Sequence, residues 1–160
     1  SLDNLGSNYV GAQESKYLAS GALDFSSEGI GEVVALLCVR ELQFHFDGSI
    51  WGRNGPDVIT NVLGNICGTK EIIKMTPKAC LGFNVYPPSV FYKISYPRYN
   101  LFFDTKSLNE TMKELRGSYA AHVWNKLSAP KDVTVGSQQP YGLLADEFCP
   151  SVYHNIGPYF

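Results

Sequence analysis

Apolar residues recur at helical spacing in two stretches of the first half of the chain. Across residues 30–46 the positions Val33, Val34, Leu37, Cys38 and Leu42 share a face, and Asp47-Gly48-Ser49 ends the pattern. Across residues 56–66 the ladder Val58, Ile59, Val62, Leu63 and Ile66 repeats it, with Pro56 preset in φ for a first turn and Gly68 placed to close the last. Ahead of these helices, residues 8–12 and 17–25 read as strands, the second leading into the turn Ser26-Ser27-Glu28-Gly29. In the second half, residues 81–86 read as a strand, Pro87-Pro88 as a rigid turn and residues 90–96 as a further extended piece. Residues 107–115 predict an amphipathic helix with Ser107 as cap and Glu110 at the third helical position, the capping-box arrangement. A strand over 118–124 and a last helix over 139–148 complete the reading. No repeat, low-complexity tract or linker interrupts residues 1–160, so the expectation is one region of mixed α/β class.

Between the two helices lies Ile50-Trp51-Gly52-Arg53-Asn54-Gly55-Pro56. Two glycines three apart allow a sharp turn and a close approach to a ligand. Trp51 and Asn54 are thus held on a stiff loop at a helix N-terminus, where free N–H groups welcome a polar or anionic group. The plainer alternative is a loop-to-helix junction whose Trp51 is buried in the core.

Composition narrows the class. The chain has 160 residues, 44% hydrophobic and 13% aromatic, which suffices for one sizeable core. The net charge of −2 and the absence of any lysine or arginine run exclude a nucleic-acid backbone as the main partner. No apolar run approaches the length of a membrane span. Cys38, Cys67, Cys80 and Cys149 contain no Cys-x-x-Cys pair, which argues against a zinc knuckle. Their even number suits either two disulfides or four buried thiols, and Asn109-Glu110-Thr111 is an N-glycosylation sequon.

Candidate chemistry is sparse. His45 closes a helix, where the dipole accounts for it, and His154 lies in a polar tail. His122 differs, because Tyr119-Ala120-Ala121-His122-Val123-Trp124-Asn125-Lys126 sets an imidazole, an indole, an amide and an ammonium close together. Imidazole can ligate a divalent metal and lysine can neutralise a phosphate, while one satisfied structural histidine is the alternative. The sequence has no Asp-x-Asp pair, no nucleophile-elbow serine and no phosphate-binding glycine loop.

Taken in order, these motifs resemble the C-terminal conserved region of the α-1,4-glycosyltransferases. The residues that carry the resemblance are Ile50 to Pro56 with Val58-Ile59-Thr60 and Val62-Leu63, then Ile66-Cys67, Ala79-Cys80-Leu81-Gly82 and Pro87-Pro88-Ser89-Val90-Phe91-Tyr92. Ala121 to Lys126 and Phe148-Cys149-Pro150 complete the set, and Ser137-Gln138 with Tyr141-Gly142-Leu143 has the texture of arthropod members.

The resemblance implies a GT-A type domain, a mixed sheet with flanking helices, of which this chain is the C-terminal portion. It implies a retaining hexosyltransferase that takes galactose or an N-acetylhexosamine from a UDP-sugar to a terminal galactose of a glycosphingolipid or other glycan acceptor. It further implies Mn²⁺ at the diphosphate, with His122 as the late metal ligand and the Asp-x-Asp ligands ahead of this chain. Trp51, Asn54, Gly55, Pro56, Trp124, Asn125 and Lys126 are the implied donor- and acceptor-binding residues. Location in the Golgi lumen, behind an N-terminal membrane anchor outside this chain, makes Cys67–Cys80 and Cys38–Cys149 the implied disulfides and Asn109 a glycan site. One departure concerns specificity: Ala19 stands in Tyr17-Leu18-Ala19 where the family often has asparagine, and a sugar hydroxyl left without a partner costs about 1–3 kcal/mol. The missing Asp-x-Asp and Ala19 also suit a non-catalytic carbohydrate-binding domain.

Overall fold

A broken register and two close approaches at glycine shape the sheet at the start of the chain. The computed structural model describes residues 2–160, which divide into two units, residues 1–92 and 93–160. In the first unit β1 (Tyr9–Glu14) pairs antiparallel with β2 (Tyr17–Asp24) and parallel with β3 (Asn84–Tyr86), giving the order β2-β1-β3. The β1/β2 register shifts on both sides of Ala12, which lets the consecutive residues Leu18 and Ala19 both face the core. A Cβ on Gly11 would lie 2.7 Å from the ring of Phe91, so the approach of α3 (Pro88–Phe91) to β1 requires glycine.

Two helices complete this unit, the second packed on β2 and the first packed on the second. In α1 (Gly29–His45) Val34 is fully buried, whereas Val33, Leu36 and Val39 remain about half exposed. Of the apolar positions that share helical spacing, Val33 thus stays outside the core. The start of α1 is fixed from β1: the Asn8 carboxamide oxygen accepts from Ser26 N at 2.8 Å and Ser26 Oγ at 2.9 Å. A Cβ on Gly31 would fall 1.9 Å from that oxygen. The second helix, α2 (Pro56–Cys67), buries Val58, Ile59, Val62 and Leu63 as its ladder predicts. It ends where Gly68 adopts φ 69° and donates to the Gly64 carbonyl. Val10, Ala12 and Leu18 from the sheet, Ile59, Val62 and Leu63 from α2, and Phe83 form the core. Beside it, Cys67 and Cys80 are joined in a disulfide.

The second unit is helical and irregular. A 3-10 helix (Tyr96–Phe102) precedes α4 (Leu108–Leu115), α5 (Asn125–Ser128), α6 (Pro140–Phe148) and α7 (Pro150–Tyr153). Val133 and Phe160 exchange backbone hydrogen bonds of 2.8 and 3.1 Å, and Tyr141, Tyr153 and Phe160 stack edge to face behind them.

Four sequence expectations are corrected. The strand over 81–86 contracts to β3. Residues 90–96 are not extended, because Pro88 and Pro97 each sit in the first turn of a short helix. Residues 118–124 form no strand and pair with none. The capping box is not formed: Ser107 Oγ donates inward, at 2.8 and 2.7 Å from the Leu101 and Asp104 carbonyls, instead of serving α4. The helix over 139–148 is found as α6.

Two stability outcomes follow. Gly31→Ala gains about 1 kcal/mol in helix propensity but must break the Asn8–Ser26 bonds, for a net loss of about 2 kcal/mol in denaturant unfolding. Replacing Cys67 and Cys80 by serine opens a loop with a separation of 13 residues. A loop of that size corresponds to about 3 kcal/mol of stability, read from the shift in denaturation midpoint.

Candidate functional site

The loop that follows α1 is closed by one side chain. Asn54 Nδ2 donates to the Asp47 carbonyl at 3.0 Å, and Asp47 N donates to Asn54 Oδ1 at 3.0 Å. The Asp47 carboxylate accepts from Ser49 Oγ at 2.6 Å and Ser49 N at 2.9 Å, and these bonds hold it below its ordinary pKa. Gly52, at φ 86°, turns the chain so that its carbonyl accepts from Gly55 N at 3.3 Å and Asp57 N at 3.1 Å. Gly55 and Pro56 then open α2. Asn54 thus closes the loop through both ends of its carboxamide and remains exposed. Trp51 is 69% exposed, so the reading of a core tryptophan is overturned.

A second set of groups anchors this loop from β2. Tyr17 Oη donates to Asp57 Oδ1 at 2.7 Å, and Leu18 N donates to Thr60 Oγ1 at 3.0 Å. A Cβ on Gly52 would lie 3.0 Å from Tyr17 Oη, and one on Gly55 would lie 3.0 Å from Ser20 Oγ. Both glycines are thus explained by close approach to β2. Burial first, then the hydrogen bond and charge of Asp57 and the charge of Glu14, push the Tyr17 phenol up to about 12. Arg53 stands over the same carboxylate, Nη1 3.9 Å from Asp57 Oδ2, while its Nε is buried and meets no acceptor. Tyr17 and Arg53 stand within the motifs above without a role, and Asp57 follows the second of those motifs directly. The spacing of Arg53 and Asp57 by four residues was the available signal; the tyrosine, 40 residues away, had none. Ala19 is 4% exposed, so its methyl belongs to the core.

The other signature segment lies in the second unit. His122 is exposed on one side, while burial on the other lowers its pKa below the ordinary histidine value. Its Nδ1 accepts from Trp124 N at 3.0 Å, and the two rings lie 4.5 Å apart. Trp124 is buried with φ 58° and ψ 51°, a left-handed conformation that costs a bulky residue about 1–3 kcal/mol. Its indole Nε1–H donates to the Ile94 carbonyl at 2.9 Å and its ring meets Tyr96 edge-on. Asn125 and Lys126 open α5 directly after it and are exposed.

Among the described residues no three His, Cys, Asp or Glu side chains gather as a metal site. His122 Nδ1 is engaged as an acceptor for Trp124 N. Trp51, Gly55 and Pro56 lie in the first unit and Trp124, Asn125 and Lys126 in the second. Cys38 and Cys149 are free thiols, which corrects the expected second disulfide. Cys38 is packed against the core of the first unit, where burial pushes its thiol up to about 11. His45 pairs with Glu41 at 3.1 Å and His154 with Asp146 at 2.9 Å. Asn109 is exposed in the first turn of α4, whereas Thr111 of the sequon is buried and donates to the Leu101 carbonyl at 3.2 Å. A groove of about 570 Å³, lined by Lys16, Glu71, Ile73, Met75 and Pro87 among others, shares no lining residue with either signature segment. No helix among the described residues is long and apolar enough to cross a membrane.

Residues 28–156 match the alpha 1,4-glycosyltransferase conserved region. The chain is 32% identical to lactosylceramide 4-alpha-galactosyltransferase of Rattus norvegicus over 158 residues, covering 99% of this chain and 42% of that protein. The Homo sapiens protein of the same name is 32% identical, with 99% and 43% covered. Alpha-1,4-N-acetylglucosaminyltransferase of Homo sapiens is 26% identical over 150 residues, with 93% and 42% covered. The chain thus spans about two fifths of the length of these three relatives. No solved structure matches it.

The Tyr17–Asp57 bond has a testable alkaline signature. Between the ordinary tyrosine value of 10.0 and about 12 the folded state keeps a phenolic proton that the unfolded chain has lost, so stability falls as pH rises through this window. In a near-ultraviolet alkaline titration two late phenols are expected, Tyr17 and Tyr92, the second raised by burial; Tyr17→Phe removes one of them, and Asp57→Asn moves the Tyr17 phenol back toward the ordinary value.

Proposed function

The chain belongs to the α-1,4-glycosyltransferase family, and from that membership we propose that it serves hexosyl transfer from a UDP-sugar to a terminal galactose or related sugar of a glycosphingolipid or glycan. The observation that carries the reading is the family match, which spans both signature segments, 50–56 and 121–126. The proposed domain is of GT-A type, with this chain as the C-terminal portion of the catalytic domain, and the transfer retains the anomeric configuration. Galactose and the N-acetylhexosamines are the candidate donor sugars, in keeping with the names of the relatives.

In the proposed transfer an acceptor hydroxyl forms a bond to the anomeric carbon, the bond to the UDP oxygen breaks, and the hydroxyl proton passes to the departing diphosphate. The leaving diphosphate gains charge, which a cation offsets. Lys126, exposed on α5, is the cation we assign to it, with Asn125 beside it. The exposed face of Trp51, on the loop held by Gly52, Gly55 and Pro56, is the apolar platform we assign to a sugar ring. Mn²⁺ supplies Lewis-acid charge to reactions of this kind. Among the described residues no three His, Cys, Asp or Glu side chains gather to hold it.

The Cys67–Cys80 disulfide and the exposed Asn109 suit an oxidising compartment, and we place the protein in the Golgi lumen, held to the membrane by an anchor outside this chain.

The test is transfer from UDP-galactose and from UDP-N-acetylhexosamines to lactose-terminated acceptors, with the anomeric configuration of the product read by NMR. Trp51→Ala is expected to lower kcat/KM roughly tenfold, the equivalent of about 1.4 kcal/mol of lost ring contact. Calorimetry on the full-length protein that finds sugar affinity with none for UDP or Mn²⁺ would overturn the catalytic reading and favour a carbohydrate-binding domain.

A further inference from the structure

The hydrogen bond at His122 fixes where its proton resides. Trp124 N, 3.0 Å from Nδ1, can only donate. A neutral imidazole has one acceptor nitrogen and one donor nitrogen, so the proton sits on Nε2. A metal at Nε2 would need that lone pair, and the proton would move to Nδ1. There it would oppose the Trp124 N–H, leaving two donors face to face. A metal at Nδ1 would have to displace the Trp124 N–H outright. Ligating histidines have the opposite arrangement, with the second nitrogen donating to a carboxylate or carbonyl.

What the bond sustains is also on view. Trp124 holds φ 58° and ψ 51° with a bulky side chain, and it is only 8% exposed. Its backbone carbonyl accepts from Leu127 N at 2.7 Å and Ser128 N at 3.0 Å, and its indole donates to the Ile94 carbonyl at 2.9 Å. These three bonds fix the residue from its C-terminal side and its ring. The Nδ1 acceptor is the fourth restraint and supplies the partner for its N–H. A strained residue persists where its surroundings over-determine it.

We infer that His122 is a positioning residue, whose Nδ1 holds Trp124 in the left-handed turn that launches Asn125 and Lys126, and that it is not a metal ligand. The tautomer argument stands apart from the proposed function; only the role of Asn125 and Lys126 rests on it. The substitutions that test it exploit the geometry of amides. In His122→Asn, Oδ1 occupies the place of Nδ1 and can accept from Trp124 N. In His122→Gln, the amide reaches toward the place of Nε2 and leaves Trp124 N without its acceptor.

The readouts are long-range proton–nitrogen NMR of the imidazole, the Trp124 indole N–H resonance, and broadening on titration with Mn²⁺ alone. Expected are the Nε2–H pattern in the unsubstituted chain, no selective broadening of His122, and a wild-type indole shift in His122→Asn that is lost in His122→Gln. An Nδ1–H pattern overturns the inference, as does selective Mn²⁺ broadening of His122 or equal loss of the indole shift in both variants. The unsubstituted chain settles the first two points even where a variant fails to fold. None of these readouts depends on sugar transfer, so a failed transfer assay leaves the inference standing.

Discussion

At the head of β2 the sheet and α2 are joined by two hydrogen bonds of unlike character, Tyr17 Oη to Asp57 and Leu18 N to Thr60 Oγ1. Neither is large in net free energy, about 1 kcal/mol for a neutral bond and more for one to a carboxylate. Burial of Ile59, Val62 and Leu63 is worth about 1.5–3 kcal/mol for each side chain and dominates the attachment. Apolar contact is tolerant of sliding, whereas the two polar bonds are not. They therefore fix the register of α2 on the sheet, and with it the place of everything on the loop ahead of Pro56. Gly52 and Gly55 follow from this constraint, since any larger residue would press on Tyr17 or Ser20.

The helices were legible where local chemistry and burial agree. Pro56, the ladder from Val58 to Leu63, and Gly68 each name the same element, and α2 lies where they put it. The failures have a common cause in partners distant along the chain. Residues 118–124 carry Tyr119, Val123 and Trp124, side chains that favour a strand, but a strand needs a neighbour, and they pair with none. Their polar groups are met by a side chain at 122 and a carbonyl at 94 instead. Ser107 has the right sequence for a cap, yet two nearby carbonyls claim its hydroxyl. Val33 has the right phase for the core, but α1 packs chiefly against α2 and buries only Gly31 and Val34, which leaves Val33 half exposed.

The site was legible as a set of places and less so as a set of roles. Sequence singled out the loop around Trp51 and the segment around His122, and both are unusual backbone: positive φ at Gly52 and at Trp124. What the sequence did not reveal is the service two of these polar residues give the backbone. Asn54 and His122 were expected to face a ligand, and each also satisfies a main-chain group. Tyr17 and Arg53 escaped attention because the Asp57 carboxylate that relates them becomes a shared partner only after folding.

The closure of the loop by Asn54 also bears on how the molecule ages. Asparagine followed by glycine is the pair most prone to cyclise, because an unhindered glycine nitrogen can attack the side-chain carbonyl and expel ammonia. At Asn54-Gly55 both reactants are engaged elsewhere: the carboxamide is bonded on two sides to Asp47, and the Gly55 nitrogen donates to the Gly52 carbonyl. Succinimide formation has to wait for the loop to open. The slow appearance of aspartate and isoaspartate at this bond is therefore a chemical clock for that opening, and each tick destroys the amide that keeps the loop shut.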